Sequence, residues 1–187
     1  TYGDANPLLG TTVSGFVNGE NLATSGVSGA GTATTTANAT TGAGTAAITA
    51  SVGTLTASNY DFTNLVNGTL TISQRPVTVT ADPKTKTYGD VNPALSYTVA
   101  ADGVGTSRGL VNGDTLSGSL STSATQTSGV GSYTIDASAL SNGNYLITAN
   151  NGTLTINKAH LTVTANNASK TYGDANPLLG TTVSGFV

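Results

Sequence analysis

Three aspartates occupy one recurring place in this chain: Asp4, Asp90 and Asp174, each inside a Tyr-Gly-Asp-x-Asn-Pro element. A recurring carboxylate beside Gly and Asn is the kind of group that ligates Ca²⁺ in extracellular modules. Ca²⁺ takes roughly six to eight oxygens, however, and no second or third acidic residue recurs nearby. The element reads better as a turn, with Asp and Asn capping it and Pro fixing φ at the chain reversal. Tyr2, Tyr88 and Tyr172 in the same element could stack on sugars, but a ring buried in its module with its hydroxyl tied off is the simpler expectation. His160 is the only imidazole, and its repeat counterpart is Pro76. It reads as a linker residue rather than a catalyst or ligand. Lys86 and Lys170 match each other in exposed-looking polar sequence, while Lys158 matches Gln74, so a repeated Lys–Asn cross-link is not expected. The sequons at Asn38, Asn67, Asn151 and Asn167 offer sugar attachment sites, as a chain rich in Asn and Thr will by chance. No catalytic, cofactor-binding or metal-ligating set emerges: there is no nucleophile–His–acid group, no HExxH and no Gly-rich phosphate loop after a strand.

Composition points the same way. Only 8% of the 187 residues are charged, against about 25% in an ordinary soluble domain. The net charge of -3 leaves no basic face for nucleic acid or acidic lipid. The absence of Cys removes disulfides, thiolate nucleophiles and Cys-ligated zinc together. No apolar run of about 18 residues is present, so no helical membrane insertion is expected. What remains is a Thr-, Gly- and Asn-rich polypeptide that favours strands.

The elements that must carry these residues are set by repetition. Residues 1–17, TYGDANPLLGTTVSGFV, return letter for letter as residues 171–187, and a diverged copy, TYGDVNPALSYTV, starts at Thr87. Other landmarks recur in the same order. Asn18-Gly19 returns as Asn112-Gly113, Asn59-Tyr60 as Asn144-Tyr145, Val66–Ile72 as Asn150–Ile156, and Val77–Ala81 as Leu161–Ala165. The second unit carries an extra stretch at about Ala101 to Arg108, and the first carries extra Gly/Thr/Ala sequence around Gly26 to Thr41. Insertions that spare the flanking pattern belong in loops. The expected organisation is three modules. Residues 1–75 form one that lacks its first strand, 76–158 a complete one, and 159–187 the start of the next, as in a window cut from a longer array.

Val77–Thr80, Leu161–Thr164, Leu70–Ser73, Leu154–Asn157, Tyr133–Asp136 and Leu95–Val99 alternate apolar and small polar residues, the period of a strand buried on one face. Asn67-Gly68 and Asn151-Gly152 predict hairpin turns with φ > 0. At most one turn of helix is expected, near Leu110 to Leu116. The predicted core is Val77, Val79, Tyr88, Leu95, Tyr97, Val99, Leu110, Leu116, Leu120, Tyr133, Ile135, Tyr145, Ile147, Leu154 and Ile156. It is thin for a module of about 84 residues, so neighbouring modules are expected to pack end to end. The fold class is all-β: tandem small β-sandwich or degenerate β-grasp modules arranged as an elongated array.

The series Lys86–Pro93, Asn112–Asp114, Gly129–Ile135, Asn144-Tyr145 and Asn151–Ile156 resembles the MBG-type (YGX-type) repeats of large bacterial adhesins. The first unit departs from that pattern, with Thr45-Ala46 in place of Ser132-Tyr133 and a longer Gly/Thr loop. The resemblance implies stalk modules of secreted, surface-anchored proteins, with no catalytic residues to carry over. The leading expectation is a structural repeat segment of an extracellular bacterial fibre or adhesin stalk, partnered by neighbouring modules. A glycan-binding surface module and a self-assembling filament of identical chains are the alternatives. Enzyme activity, cofactors, nucleic-acid partners and membrane insertion are not expected.

Overall fold

The computed structural model describes residues 1–187. It contains twelve strands and no helix, as the alternating Thr-rich sequence predicts. In chain order these are β1 (Thr32–Thr34), β2 (Gly44–Ser51), β3 (Gly68–Ile72), β4 (Arg75–Ala81), β5 (Lys84–Thr87), β6 (Tyr97–Val99), β7 (Ser121–Thr122), β8 (Gly131–Asp136), β9 (Tyr145–Asn150), β10 (Gly152–Asn157), β11 (Thr162–Ala165) and β12 (Thr181–Ser184). They form four small sheets, ordered β1-β2-β3, β5-β10-β8-β7, β6-β4-β9 and β11-β12.

Two compact units share the chain, and neither is continuous in sequence. One comprises Thr1–Val77, Ala101–Ser117 and Ser141–Thr148; the other comprises Thr78–Ala100, Gly118–Leu140 and Ala149–Val187. In the first unit β2 pairs antiparallel with β3, setting Ala46 opposite Leu70 and Ile48 opposite Gly68. In the second, β8 pairs antiparallel with β10, setting Tyr133 opposite Leu154 and Ile135 opposite Gly152. Repeated sequence therefore gives repeated register. The YGD segments attach alike as well: Tyr2 N–H donates to Ser73 O and Tyr88 N–H to Asn157 O. Asn6 Nδ2 donates to Ala37 O and Asn92 Nδ2 to Ala124 O.

Val77, Val79, Ile135, Leu154, Ile156 and Tyr145 are buried, as predicted. Leu95, Tyr97, Val99, Leu110, Leu116, Leu120, Tyr133 and Ile147 are only half-buried, because sheets of two to four strands leave most positions near an edge. Tyr88, expected inside, is exposed. Alanines 81, 124 and 137, with Leu140, fill the interior instead.

Two local expectations are corrected. Leu110–Leu116 forms no helix. Asn112 and Gly113 take φ of 57° and 75°, closing a tight turn in which Asp114 N–H donates to Val111 O. Asn67-Gly68 and Asn151-Gly152 are not φ > 0 hairpin turns: none of the four residues has a positive φ, and β9 and β10 lie in different sheets. Their asparagines brace the neighbouring strand end: Asn67 Oδ1 accepts from Ala50 N–H and Asn151 Oδ1 from Ala137 N–H.

Gly118 is required twice over. Its φ is 94°, and a Cβ there would collide with the Ala139 carbonyl. Gly113 has φ of 75° but open space around its Cα. Gly113→Ala is therefore expected to lose about 1–2 kcal/mol from the left-handed backbone alone. Gly118→Ala should lose clearly more, because the backbone must also move. Urea midpoints of the two variants compare them directly.

Candidate functional site

The most heavily interconnected polar cluster lies in the first unit, where the YGD segment of the first repeat meets the second repeat. The Asn112-Gly113 turn presents Asp114 beside Tyr145 at the start of β9. Tyr2 and Tyr145 both donate their hydroxyls to Asp114 Oδ2, each at 2.8 Å. Their rings meet edge to face with centroids 5.6 Å apart, a geometry the ring quadrupoles favour. Both rings are almost wholly buried, at 4% and 3% exposure. Tyr145 Oη also accepts from Val111 N–H at 3.0 Å. Burial pushes the Tyr145 hydroxyl above its ordinary pKa; Val111 N–H opposes this, and the Asp114 carboxylate adds to the rise.

Around the next residues of the motif, Arg75 lies buried at the head of β4. Its Nε and Nη2 donate to Arg108 O at 2.9 and 2.6 Å, and its Nη1 reaches Asp4 Oδ1 at 3.2 Å. Arg108 grips the same carboxylate with both terminal nitrogens, at 2.8 and 2.9 Å. Asp4 is thus not a Ca²⁺ ligand in waiting but the anion of a two-arginine clamp. The Arg108 hydrogen bonds hold its carboxyl below the usual range against a smaller opposing effect of burial. A depressed folded-state pKa contributes stability that is complete above about pH 4 and is lost as pH falls through the folded value. Acid titration of unfolding is expected to reveal that loss, and Asp4→Asn should flatten it.

The first repeat carries its own version of the tyrosine–acid pair. The Asn18-Gly19 turn presents Glu20, which accepts from Tyr60 Oη at 2.5 Å, and Val17 N–H donates to Tyr60 Oη at 3.2 Å. The Glu20 carboxylate raises the Tyr60 pKa. Here Phe16 supplies the edge-to-face ring, 5.7 Å away.

One contact recurs at both places where a YGD segment meets the following repeat. A Cβ on Gly3 would strike the Val111 side chain at 2.6 Å, and a Cβ on Gly89 would strike Val187 at 2.7 Å. Val111 and Val187 are equivalent positions of the repeat, each following Leu110 or Phe186. The glycine is thus needed for close approach as well as for its φ of 83° or 92°. Along nearly its whole length the chain matches the model of the MBG domain of YGX type, in three segments: residues 1–71, 77–155 and 161–187.

The chain belongs to the YGX-type MBG domain family.

This is a family of repeat modules of extracellular surface proteins, structural rather than enzymatic in character. No curated protein and no solved structure matches the chain. No helix of this MBG chain is long and apolar enough to cross a membrane.

The residues singled out from sequence divide clearly. Asp4 and Tyr2 enter the cluster. Asp90 instead closes its own turn, accepting from Thr87 N–H at 3.2 Å, and Tyr88 and Tyr172 face solvent. His160 is exposed between β10 and β11. Lys86, read as exposed, is buried, with its Nζ donating to Asp90 O at 2.9 Å and Thr125 O at 2.7 Å; the ammonium caps the YGD turn from inside. Arg75, Arg108 and Asp114 were missed as site residues. The available signal was that Arg75 and Arg108 are the only arginines in the chain, and that Asn-Gly is followed by an acid in both repeats.

Proposed function

We propose that this chain is a structural repeat segment of an extracellular bacterial fibre or adhesin stalk. In this reading its modules span residues 1–75, 76–158 and 159–187, and each YGD segment fastens its module to the next. The observation that carries the reading is the recurrent glycine–valine approach at Gly3–Val111 and Gly89–Val187. The same motif meets the same position of the following repeat each time. The Tyr2–Asp114–Tyr145 cluster adds a buried, hydrogen-bonded fastening of the kind that fixes a geometry rather than turns over a substrate. Stacked repeats of this kind set length by copy number. Tyr2 and Tyr145 are buried and present no face to a sugar, whereas Tyr88 is 37% exposed. Negative-stain images of a recombinant array of six or more modules test the proposal. Rods lengthening in proportion to module number support it, and compact or randomly bent particles contradict it.

A further inference from the structure

Of the eight aspartates in the chain, Asp82 alone precedes a proline. An Asp–Pro bond is the acid-labile link of a polypeptide. The side-chain carboxyl lies next to its own carbonyl carbon, and the proline nitrogen, held in a tertiary amide, is a readily protonated leaving group. Asp82 and Pro83 are the whole connection between β4, which ends at Ala81, and β5, which begins at Lys84. Those two strands belong to different sheets. Pro83 is exposed and Asp82 half-buried, so water reaches the bond.

The fold holds that carboxylate from the side. Ser96 Oγ donates to Asp82 Oδ2 at 2.6 Å and Thr98 Oγ1 donates to Oδ1 at 2.8 Å. The backbone adds a third tie, Asp82 N–H to Ser96 O at 2.8 Å, which carries the β4–β6 ladder one step past the Ala81↔Tyr97 pair. To reach its own carbonyl carbon the carboxylate must give up both hydroxyls. The Ser96 bond, and then the Thr98 bond, hold its carboxyl below the usual range against a smaller opposing effect of burial, so the ionised, hydrogen-bonded form persists further into acid. The same frame recurs where no such bond exists. Asn166, the repeat counterpart of Asp82, donates its N–H to Gly180 O at 2.9 Å and accepts from Thr182 Oγ1 at 2.7 Å, and the residue after it is Asn167. The cross-strand tie thus belongs to both repeats, and the cleavable bond to one.

We propose that Asp82–Pro83 is a latent acid-cleavage site, kept closed by the Ser96 and Thr98 hydroxyls for as long as β4 and β6 stay paired. Cleavage begins when a carboxylate oxygen of Asp82 adds to the carbonyl carbon of the same residue. The C–N bond to Pro83 then breaks; its electron pair stays on nitrogen, which takes a proton from the acid. Water opens the resulting cyclic anhydride. The products are a carboxyl-terminal Asp82 and an amino-terminal Pro83, so the sum is hydrolysis of one peptide bond with no other reagent consumed. Opening of the β4–β6 ladder frees the carboxylate and exposes the site. The inference stands on this bond and its two hydroxyls and does not rest on the proposed stalk role.

Mass spectrometry of the full chain tests it. The protein is held at about pH 4, near the ordinary aspartate pKa, at a temperature where circular dichroism shows it folded, and in parallel in concentrated urea. In urea the chain is expected to break into residues 1–82 and 83–187. Folded, it should break at least about tenfold more slowly, because cleavage then waits for local opening. Ser96→Ala combined with Thr98→Val should raise the folded-state rate by about tenfold and leave the rate in urea unchanged. The single variants, each keeping one hydroxyl, should fall between, and they serve if the double variant does not fold. Asp82→Asn should stay whole under both conditions. Equal rates for the folded and the unfolded parent, no break at this bond in urea, or a folded variant lacking either hydroxyl that cuts no faster than the parent would each overturn the proposal.

Discussion

Arg75→Ala is expected to lower unfolding stability by about 3 kcal/mol, at the lower end of the range for removing one partner of a buried charge pair. The side chain is 5% exposed and donates to carbonyls of Arg108 and Gly109 and to the Asp4 carboxylate. Truncation deprives the Arg108 and Gly109 carbonyls of this donor, which costs more than the bonds themselves contribute. Asp4 keeps Arg108, and its side chain is one-third exposed, which is why the upper end of the range is not expected. Arg75→Lys should recover only part of the loss, because an ammonium cannot reproduce the planar fork that serves Arg108 O through both Nε and Nη2. Urea unfolding followed by circular dichroism measures both variants. Equal stability of Arg75→Ala and the parent chain would remove the clamp from the account.

Tyr145→Ala is expected to cost about 3–5 kcal/mol, the range for emptying a large aromatic site. It removes a ring that is 3% exposed together with the edge-to-face contact to Tyr2. Tyr145→Phe separates the two contributions. It keeps the ring and deletes the hydroxyl that serves both Val111 N–H and Asp114, so a loss of about 1–3 kcal/mol is expected. The raised Tyr145 pKa gives an independent signature. A group with a raised folded-state pKa contributes stability that is present below the unfolded value, about 10, and is lost as pH rises through the folded value. The alkaline limb of the stability profile should therefore soften in Tyr145→Phe.

The repeat and its strands were legible because they depend on local pattern. Val77–Ala81 and Leu154–Asn157 alternate at period two, and nothing in the fold competes with that signal. The YGD element was legible as a turn, as Asp90 demonstrates. Where Asp4 would find its partners was not, because partner choice is set by tertiary approach. Arg75 has Ala159 as its repeat counterpart, and Arg108 sits in the stretch present only in the second unit, so neither appears in the repeat pattern. Lys86 was misread for a related reason. Its neighbours are polar, and only the folded turn shows that they shield its ammonium with carbonyls. The exposed Tyr88 is instructive beside the buried Tyr2. The two tyrosines share a motif, but the burial of Tyr2 comes from Asp114 and Tyr145, which lie far from it in sequence and cover its hydroxyl and its ring.

The central claim is that the first repeat's YGD segment is energetically fastened to the second repeat. A double-mutant cycle between Tyr2→Phe and Asp114→Ala, read by urea unfolding of the full chain, tests it most directly. The account predicts that the two losses fall short of additivity by about 0.5–3 kcal/mol, the coupling of residues in one hydrogen-bonded network. Losses that add to within about 0.3–0.5 kcal/mol would place Tyr2 and Asp114 in independent environments and contradict it.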